Sequence, residues 1–159
     1  MSSSSVTSMI ENSFTSEDTI KNKFLLFKIA DEEFGIEIAY VKEIINMVSI
    51  TQVPSTPDYV KGIINLRGDI VPILDVRTRF RMPWREYDDL TCIVVLEKET
   101  DKIGIIVDEV NEVKFINEGN IKPPPSAKLT YSNQFVKSLG HAEDKVVLLV
   151  EINKLLYEE

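Results

Sequence analysis

The chain has 159 residues and carries 18 Lys and Arg against 26 Asp and Glu, a formal net charge of −8. This acidic balance disfavours nucleic acid and anionic membranes as main partners. One Cys and one His exclude an internal disulfide, a cysteine-based metal cage and a two-histidine zinc motif. The length predicts one compact domain or two small subdomains.

The N-terminal segment is polar, and a β pattern follows it. Residues 1–20 include the serine run Ser2–Ser5, so we expect a flexible tail there. Phe24–Ile29 is apolar, and apolar and polar residues then alternate from Phe34 to Ile38, which predicts a hairpin. The spacing of the next apolar residues predicts a short helix or turn; these residues are Ile38, Val41, Ile44 and Ile45.

Three further pairs of apolar runs predict hairpins. The pairs are Gly62–Leu66 with Ile70–Val76, Leu90–Leu96 with Ile103–Val107, and Val136–Leu139 with Val146–Ile152. Pro123–Pro125 predicts a loop, and Ile152–Tyr157 predicts a short C-terminal helix. Short strands dominate, so the predicted fold class is mainly β, as barrels or a sandwich.

The two halves of the chain repeat one another. With an offset of about 69 residues, Phe24–Phe27 falls on Ile93–Leu96 and Gly35 falls on Gly104. After a few extra residues in the second half, Ile70–Val76 falls on Val146–Ile152. The repeat predicts two similar small barrels that pack together. We place subdomain one at about residues 21–85 and subdomain two at about residues 86–159, with strands that can be exchanged between them.

The repeat differs at one hairpin turn. The first half has Asn65–Asp69 where the second half has His141–Lys145. Gly68 is a typical turn residue with positive φ. Arg67 leaves two interpretations open: a cation that packs on the barrel and pairs with Asp69 or a backbone carbonyl, or a guanidinium that contacts a partner.

Catalytic motifs are missing from the sequence. It has neither a glycine-rich phosphate loop nor a Gly-x-Ser-x-Gly elbow, and we predict no cofactor and no metal site. Cys92 is expected to be buried, and a carboxylate site built from Asp75 and Asp108 is the remaining enzymatic alternative. One basic cluster is either a solvated face or a contact for an acidic partner; it contains Arg77, Arg79, Arg81 and Arg85.

One stretch resembles a known signature. Lys61–Gly68 reads Lys-Gly-Ile-Ile-Asn-Leu-Arg-Gly, and Pro72 and Asp75-Val76-Arg77 follow it. This pattern resembles the core signature of the CheW family of bacterial chemotaxis coupling proteins. Other segments agree in order; they are residues 31–38, 41–44, 104–108 and 148–156. The resemblance covers residues 21–157.

The resemblance implies two packed five-stranded barrels of the Src-homology type with a few short helices. It also implies a non-catalytic cytoplasmic adaptor that joins transmembrane chemoreceptors to the histidine kinase CheA in membrane-attached arrays. Its partners would be the regulatory domain of the kinase and the cytoplasmic hairpin tip of the receptor, with no insertion into the membrane. A regulatory fragment of another signalling system is the alternative with the same fold.

The resemblance also implies partner-binding positions. They are Val41, Glu43, Gly62, Arg67, Ile93, Gly104, Val110, Val113 and Lys122. We expect Glu43 and Arg67 to make surface contacts. For Gly62 and Gly104, strand geometry or close packing is an alternative role. For Val41, Val110 and Val113 the alternative is a place in the core, and Lys122 is a candidate contact for the kinase or a neighbouring copy.

Overall fold

The computed structural model describes residues 20–124 and 132–157, so the predicted tail lies outside the described residues apart from Ile20. The strands are β1 (Lys23–Ile29), β2 (Glu32–Glu37), β3 (Val41–Asn46), β4 (Val60–Leu66), β5 (Asp69–Asp75), β6 (Cys92–Lys98), β7 (Asp101–Val107), β8 (Glu109–Phe115), β9 (Ile121–Lys122), β10 (Val136–Ala142) and β11 (Lys145–Val150). The helices are α1 (Val76–Arg79) and α2 (Ile152–Leu156), with 3-10 turns at Ile38–Tyr40, Glu118–Asn120 and Ser132–Phe135. The predicted mainly β fold is confirmed. Among the described helices, none is both long and apolar enough to cross a membrane.

The described strands form two sheets, and each sheet takes strands from both halves of the chain. The N-sheet has the order β3-β6-β7-β5-β4, and the C-sheet has the order β8-β1-β2-β11-β10-β9. Hairpin β1–β2 therefore lies among the strands of the second half, while hairpin β6–β7 lies among the strands of the first half. The subdomain boundary near residue 85 stays a prediction.

The strand orders follow the sequence repeat. Replacing each N-sheet strand by its equivalent gives β8-β1-β2-β11-β10, the order of the five principal C-sheet strands. The parallel pairs that join the exchanged hairpins share one register: Ile73 lies opposite Gly104, and Leu149 lies opposite Gly35. A Cβ at Gly104 would lie 2.6 Å from Ile73 Cδ1, and one at Gly35 would lie 2.9 Å from Leu149 Cδ2. Each glycine thus leaves space for the branched side chain of its parallel partner.

The sheets contain register shifts at equivalent places. Lys42 on β3 is skipped in the pairing with β6, and its equivalent Asn111 on β8 is skipped in the pairing with β1. β4 and β10 have equivalent shifts next to Val60 and Val136. These are β-bulges, which bend a strand and increase its twist. Such bending allows short strands to curve into barrels.

A short helix or turn was expected over Ile38–Ile45, and the bulge in β3 explains why only Ile38–Tyr40 adopts one while Val41–Asn46 is a strand. The extra residue changes the period of two, so Val41 and Ile44 both face the core, with exposures of 2% and 6%. This gives a three-residue spacing in a strand, which is the spacing of a helix face. Only Ile38–Tyr40, just before β3, forms a 3-10 turn in this segment of the described chain. Strand β8 contains the equivalent bulge, and the sequence prediction had not identified it as a strand.

The hairpin turns share one backbone feature, a positive φ at the first turn residue. The first turn residue has a positive φ and is not glycine in each of four hairpins of the described chain: Ala30, Arg67, Glu99 and Glu143 have φ values of 58°, 51°, 56° and 58°. Of these four turns, only Arg67–Gly68 has a positive φ at both positions, the form that matches the twist of the flanking strands. Gly68, at the second position after Arg67, has a φ of 92°.

Buried residues divide between a shared cluster and two barrel interiors. On β1, Leu25 and Phe27 face the shared cluster, whereas Phe24 and Leu26 face the interior of the C-sheet barrel. Residues on β6 divide in the same way between the shared cluster and the N-sheet interior. Strands buried on both faces read as continuous apolar runs. Stacked and tilted phenylalanine rings cross the shared cluster, with centroid distances of 5.9, 5.3 and 5.1 Å; they are Phe27, Phe34, Phe80 and Phe135.

Arg79 is a buried cation within this shared cluster. It is 2% exposed and lies 4.3 Å from the Tyr59 ring centroid and 4.9 Å from that of Phe135, two residues equivalent in the repeat. Its Nε donates to the Leu155 carbonyl at 3.0 Å, and its Nη2 donates to the Lys154 carbonyl at 2.8 Å. For Arg79, both interpretations of the basic cluster, a solvated face and a partner contact, are therefore wrong. The cation instead joins α1 to α2.

We expect Gly62→Ala to lower the free energy of unfolding by more than about 3 kcal/mol, measured by chemical denaturation. Gly62 has a φ of 143°, and an added Cβ would overlap the backbone of Thr51. Gly68→Ala is the control: its φ of 92° is also positive, but no atom lies within 4 Å of the new Cβ. The free energy of unfolding of this control is expected to fall by about 1 kcal/mol. Equal losses would contradict the role assigned to the Thr51 contact.

We expect Arg79→Met to lower the free energy of unfolding by about 2–4 kcal/mol, because two carbonyls of α2 lose their donor while the apolar packing is largely kept. The matched control is Arg85→Met, whose side chain is 46% exposed and lies 3.4 Å from Asp88. Exposed ion pairs contribute little, so its loss is expected to stay below about 1 kcal/mol. Chemical denaturation of both variants measures the two losses of stability. A loss for Arg79→Met no larger than that for Arg85→Met would contradict the structural role of Arg79.

Candidate functional site

The turn between β4 and β5 forms an exposed tip that presents Arg67. Leu66 pairs with Asp69, so Arg67 and Gly68 are the two turn residues. The Asn65 side chain accepts a hydrogen bond from the backbone N–H of Gly68 at 2.9 Å. This contact and the positive φ values hold the turn in one conformation. We call residues 67–70 the first tip.

Arg67 forms an ion pair with Glu43, and this pair joins the two edge strands of the N-sheet. Glu43 lies on β3 at one edge, and the Arg67 turn follows β4 at the other edge. The Arg67 side chain is 68% exposed and that of Glu43 is 23% exposed. Sequence reasoning considered Asp69 or a carbonyl as the intramolecular partner, and the observed partner is Glu43. The strand residue therefore holds the guanidinium while leaving most of it open to solvent.

A second ion pair fixes the other charge of the first tip. Lys102 Nζ lies 2.7 Å from Asp69 Oδ2. The hydrogen bond from Lys102 lowers the pKa of Asp69, and the same contact raises the pKa of Lys102. Ile70 follows on β5 and is 59% exposed. The first tip thus combines a held guanidinium, a paired carboxylate and an exposed aliphatic side chain, which is a typical composition for a protein contact.

Sequence reasoning did not include Ile70 among the site residues. Its neighbour Val71 is fully buried, so Ile70 occupies the outward position of an alternating strand. An Ile at such a position leaves apolar surface exposed to water, which is unfavourable. It can therefore indicate a contact with a partner. The signal was present in the sequence, but the continuous apolar run from Ile70 to Leu74 concealed which residues face outward.

The structure separates the predicted site residues into exposed and buried sets. Glu43 and Arg67 are brought together. Val41, Ile93 and Val110 are 2%, 0% and 9% exposed, so their side chains support the surface from inside. Val113 packs against the shared cluster.

The other predicted positions are two glycines and a lysine. Gly62 follows the bulge in β4, and Gly104 receives the Ile73 side chain. Both therefore have a structural role at the backbone. Lys122 is exposed on β9, in the C-sheet, where it pairs with Leu139. Binding roles for all of these positions stay predictions.

Asp75 and Asp108, the enzymatic alternative, are buried but have different partners. Asp75 caps α1 through the Thr78 N–H at 3.2 Å and accepts a hydrogen bond from the Tyr87 hydroxyl at 2.5 Å. Burial is the main reason why the pKa of Tyr87 is raised, with the Asp75 contact adding to it. These interactions are structural, since they cap a helix and fix the segment before β6.

Asp108 is engaged separately. Arg77 Nη2 donates to its carboxylate at 2.7 Å, and the Ala30 N–H donates at 2.7 Å. The hydrogen bond to Asp108 raises the pKa of Arg77. Cys92 is 8% exposed, and burial raises the pKa of its thiol to about 11, which keeps it protonated and unreactive at neutral pH. The carboxylates and the thiol are thus accounted for by structural contacts.

Comparisons with known proteins agree on one family. The CheW-like domain family matches residues 23–159. Chemotaxis protein CheW of Klebsiella aerogenes is 37% identical over 142 residues, covering 89% of this chain and 86% of that protein. Chemotaxis protein CheW of Bacillus subtilis is 29% identical over 145 residues, covering 91% of this chain and 93% of that protein.

A solved structure gives the same result. The crystal structure of scaffolding protein TtCheW from Thermoanaerobacter tengcongensis is similar with a TM-score of 0.79 and 35% sequence identity. The similarity covers 87% of this chain and 95% of that chain. The sequence resemblance, the matched strand architecture and the family match over nearly the whole described chain therefore lead to one conclusion: this chain belongs to the CheW family.

Proposed function

We propose that this chain is a chemotaxis adaptor that couples transmembrane chemoreceptors to the histidine kinase CheA. It acts by binding, in the cytoplasm at membrane-attached receptor arrays, and catalyses no reaction. Its partners are the regulatory domain of the kinase and the cytoplasmic hairpin tip of the receptor. Membership in the CheW family carries the proposal, since its relatives are named chemotaxis proteins and its structural neighbour a scaffolding protein.

The geometry of the first tip supports a binding role. An Arg on a rigid turn loses less conformational entropy on binding than one on a flexible loop, and its planar guanidinium suits carboxylates of a partner. Glu43 orients this guanidinium, and the exposed Ile70 provides apolar area beside it. Few residues usually dominate such contacts, and Arg is enriched among them. Arg67 is therefore the residue on which we expect partner binding to depend most.

The buried candidates fit the same proposal through support of this surface. Val41 and Ile44 anchor β3 in the shared cluster, and Glu43 extends from the same strand. Gly62 allows β4 to approach Thr51, whose N–H and C=O both bond to Ile63 across 2.9 Å. Substitutions at these positions would move the strands that carry Glu43 and Arg67. Reduced coupling is then expected together with reduced stability.

We expect Arg67→Ala to weaken binding to one of the two partners by at least about tenfold, because a dominant interface Arg contributes about 1.4 kcal/mol or more. Stability should change by less than about 1 kcal/mol, since the lost ion pair is exposed. Titration with a chemoreceptor cytoplasmic fragment and with the kinase regulatory domain measures the binding. Receptor-dependent kinase activation in a reconstituted assembly measures the coupling.

Lys154→Ala is the control, because it removes an exposed cation from α2, in the second half of the chain. It should leave binding and coupling unchanged. Full coupling by Arg67→Ala would contradict the role of Arg67. Failure of the unaltered chain to bind either partner would contradict the proposed function itself.

A further inference from the structure

The segment between α1 and β6 leaves two large apolar side chains exposed. We call residues 83–91 the connecting segment; it contains neither helix nor strand. Trp84 is 59% exposed and Leu90 is 48% exposed. An exposed Trp leaves much apolar area in water, and Trp is enriched among the residues that dominate protein contacts. The connecting segment is therefore a candidate contact surface outside the first tip.

Side-chain contacts hold the connecting segment in place around Trp84. Arg77 Nη1 of α1 donates to the Pro83 carbonyl at 3.0 Å. The Tyr87 hydroxyl donates to Asp75 at 2.5 Å, and the Tyr87 ring packs against the N-sheet interior. The Trp84 ring lies edge-on to the Tyr87 ring, with the two centroids 5.9 Å apart. Trp84 is therefore exposed on a fixed support.

A second set of contacts holds the end of the segment. The Asp88 carboxylate accepts hydrogen bonds from the backbone N–H of Leu90 at 2.9 Å and from that of Thr91 at 3.2 Å. The Asp88 N–H donates to the hydroxyl of the buried Thr91 at 3.0 Å. The hydrogen bond from the Leu90 N–H lowers the pKa of Asp88. Because the backbone is already ordered, binding through Trp84 and Leu90 loses little conformational entropy.

The same contacts indicate what form a partner has. The N–H groups of Asp88, Leu90 and Thr91 are engaged within the segment, so this stretch does not offer them to an added strand. An α-helix satisfies its own backbone groups and contacts a surface through its side chains. Trp84 and Leu90 offer apolar area, which matches a stripe of aliphatic residues along one face of a helix.

The charges of the connecting segment are mostly negative. It has Arg85 against Glu86, Asp88 and Asp89. Arg85 lies 3.4 Å from Asp88 and 3.8 Å from Asp108, so neighbouring carboxylates balance its charge. Glu86 and Asp89 are both exposed. Such a surface favours Lys or Arg beside the apolar stripe of the partner helix.

We propose that the connecting segment binds an amphipathic helix whose aliphatic stripe is flanked by Lys or Arg, and that the receptor hairpin tip supplies this helix. The assignment to the receptor rests on the proposed function. Two large side chains form a contact far smaller than the ~800 Å² that each partner buries in a standard interface. A protruding hairpin tip fits such a small surface better than a folded kinase domain does. The chain thus has a second binding surface besides the first tip.

Trp84 is the single tryptophan of the chain, so it reports directly on this surface. Fluorotryptophan incorporated into the full chain gives one fluorine NMR signal. Addition of a chemoreceptor cytoplasmic fragment is expected to shift this signal and to reduce its broadening by a soluble paramagnetic chelate at least about threefold, because the side chain becomes covered. Saturation with the kinase regulatory domain should leave the signal and its broadening unchanged.

Substitution of the two exposed side chains tests their contribution. Trp84→Gln and Leu90→Ser are each expected to weaken binding of the receptor fragment at least about tenfold and to leave binding of the kinase domain unchanged. The matched control is Val146→Ser, since Val146 is 47% exposed at the turn between β10 and β11. It should bind both partners like the unaltered chain. The replaced side chains are exposed, so thermal unfolding should show that all three variants remain folded.

A charge variant tests the basic flanks of the partner helix. Glu86→Gln with Asp89→Asn removes two charges and keeps the Asp88 hydrogen bonds. It should bind the receptor fragment at least about threefold more weakly at low salt, and the difference should shrink at physiological ionic strength, where screening acts beyond about 8 Å. Glu118→Gln with Asp144→Asn is the control, because it removes two exposed charges elsewhere and has the same net charge. Equal binding by the two double variants would contradict the basic flanks.

The remaining outcomes separate this proposal from the proposed function. If the unaltered chain binds the receptor fragment while Trp84 stays accessible and its variants bind equally, the connecting segment is not the contact, and the proposed function stands. If the kinase domain rather than the receptor fragment covers Trp84, the assignment of the helix to the receptor is wrong. An unaltered chain that binds neither partner contradicts the proposed function and this proposal together.

Discussion

The structure depends on the parallel pairing that joins each exchanged hairpin to the other half of the chain. β7 pairs with β5 and β2 pairs with β11, in each case where a glycine faces a branched side chain. Without a Cβ at Gly104 and Gly35, Ile73 and Leu149 can enter the barrel interiors at close range. A larger residue at either glycine would meet these side chains at under 3 Å, so they would have to shift. Packing at two small contacts thus accompanies the pairing that joins the halves.

Strand exchange makes the two barrels one cooperative unit. Strands β1 and β6 are buried on both faces, with one face in a barrel interior and the other in the shared cluster. Each half alone would lack two central strands of its sheet and would expose this apolar surface. Arg79 adds a polar connection inside the shared cluster, because its donors reach the last turn of α2 from α1. A domain of about 65 residues buries a small core, so dependence on a partner half is physically expected.

Much of this fold could be predicted from the sequence, because the repeat is visible in apolar spacing and glycine positions. The hairpins and the mainly β class followed from alternation of side chains. The bulge in β3 could not be predicted, since one extra residue in a strand produces the spacing of a helix at Val41 and Ile44. The burial of Arg79 could not be predicted either. Its partners are two backbone carbonyls and two aromatic rings that are distant in sequence, so no local sequence pattern indicates these contacts.

Part of the candidate site was predicted from the sequence, by comparing the two halves of the duplicated chain. This comparison indicated Arg67, because the apolar residues of the flanking strands are alike in the two halves whereas the turn residues between them differ. Its partner Glu43 was expected as a separate surface residue, since the contact across the two edges of the N-sheet depends on barrel closure. The same comparison shows that the pair of Asp69 with Lys102 has an inverted equivalent in Lys145 with Glu33. Arg67 and its equivalent Glu143 also have opposite signs, but their partners Glu43 and Lys114 are not equivalent in the repeat. Packing keeps the repeated cores alike, whereas surface charges can invert together without strain. Duplication therefore provides two turns at equivalent places in the fold whose charged residues have opposite signs.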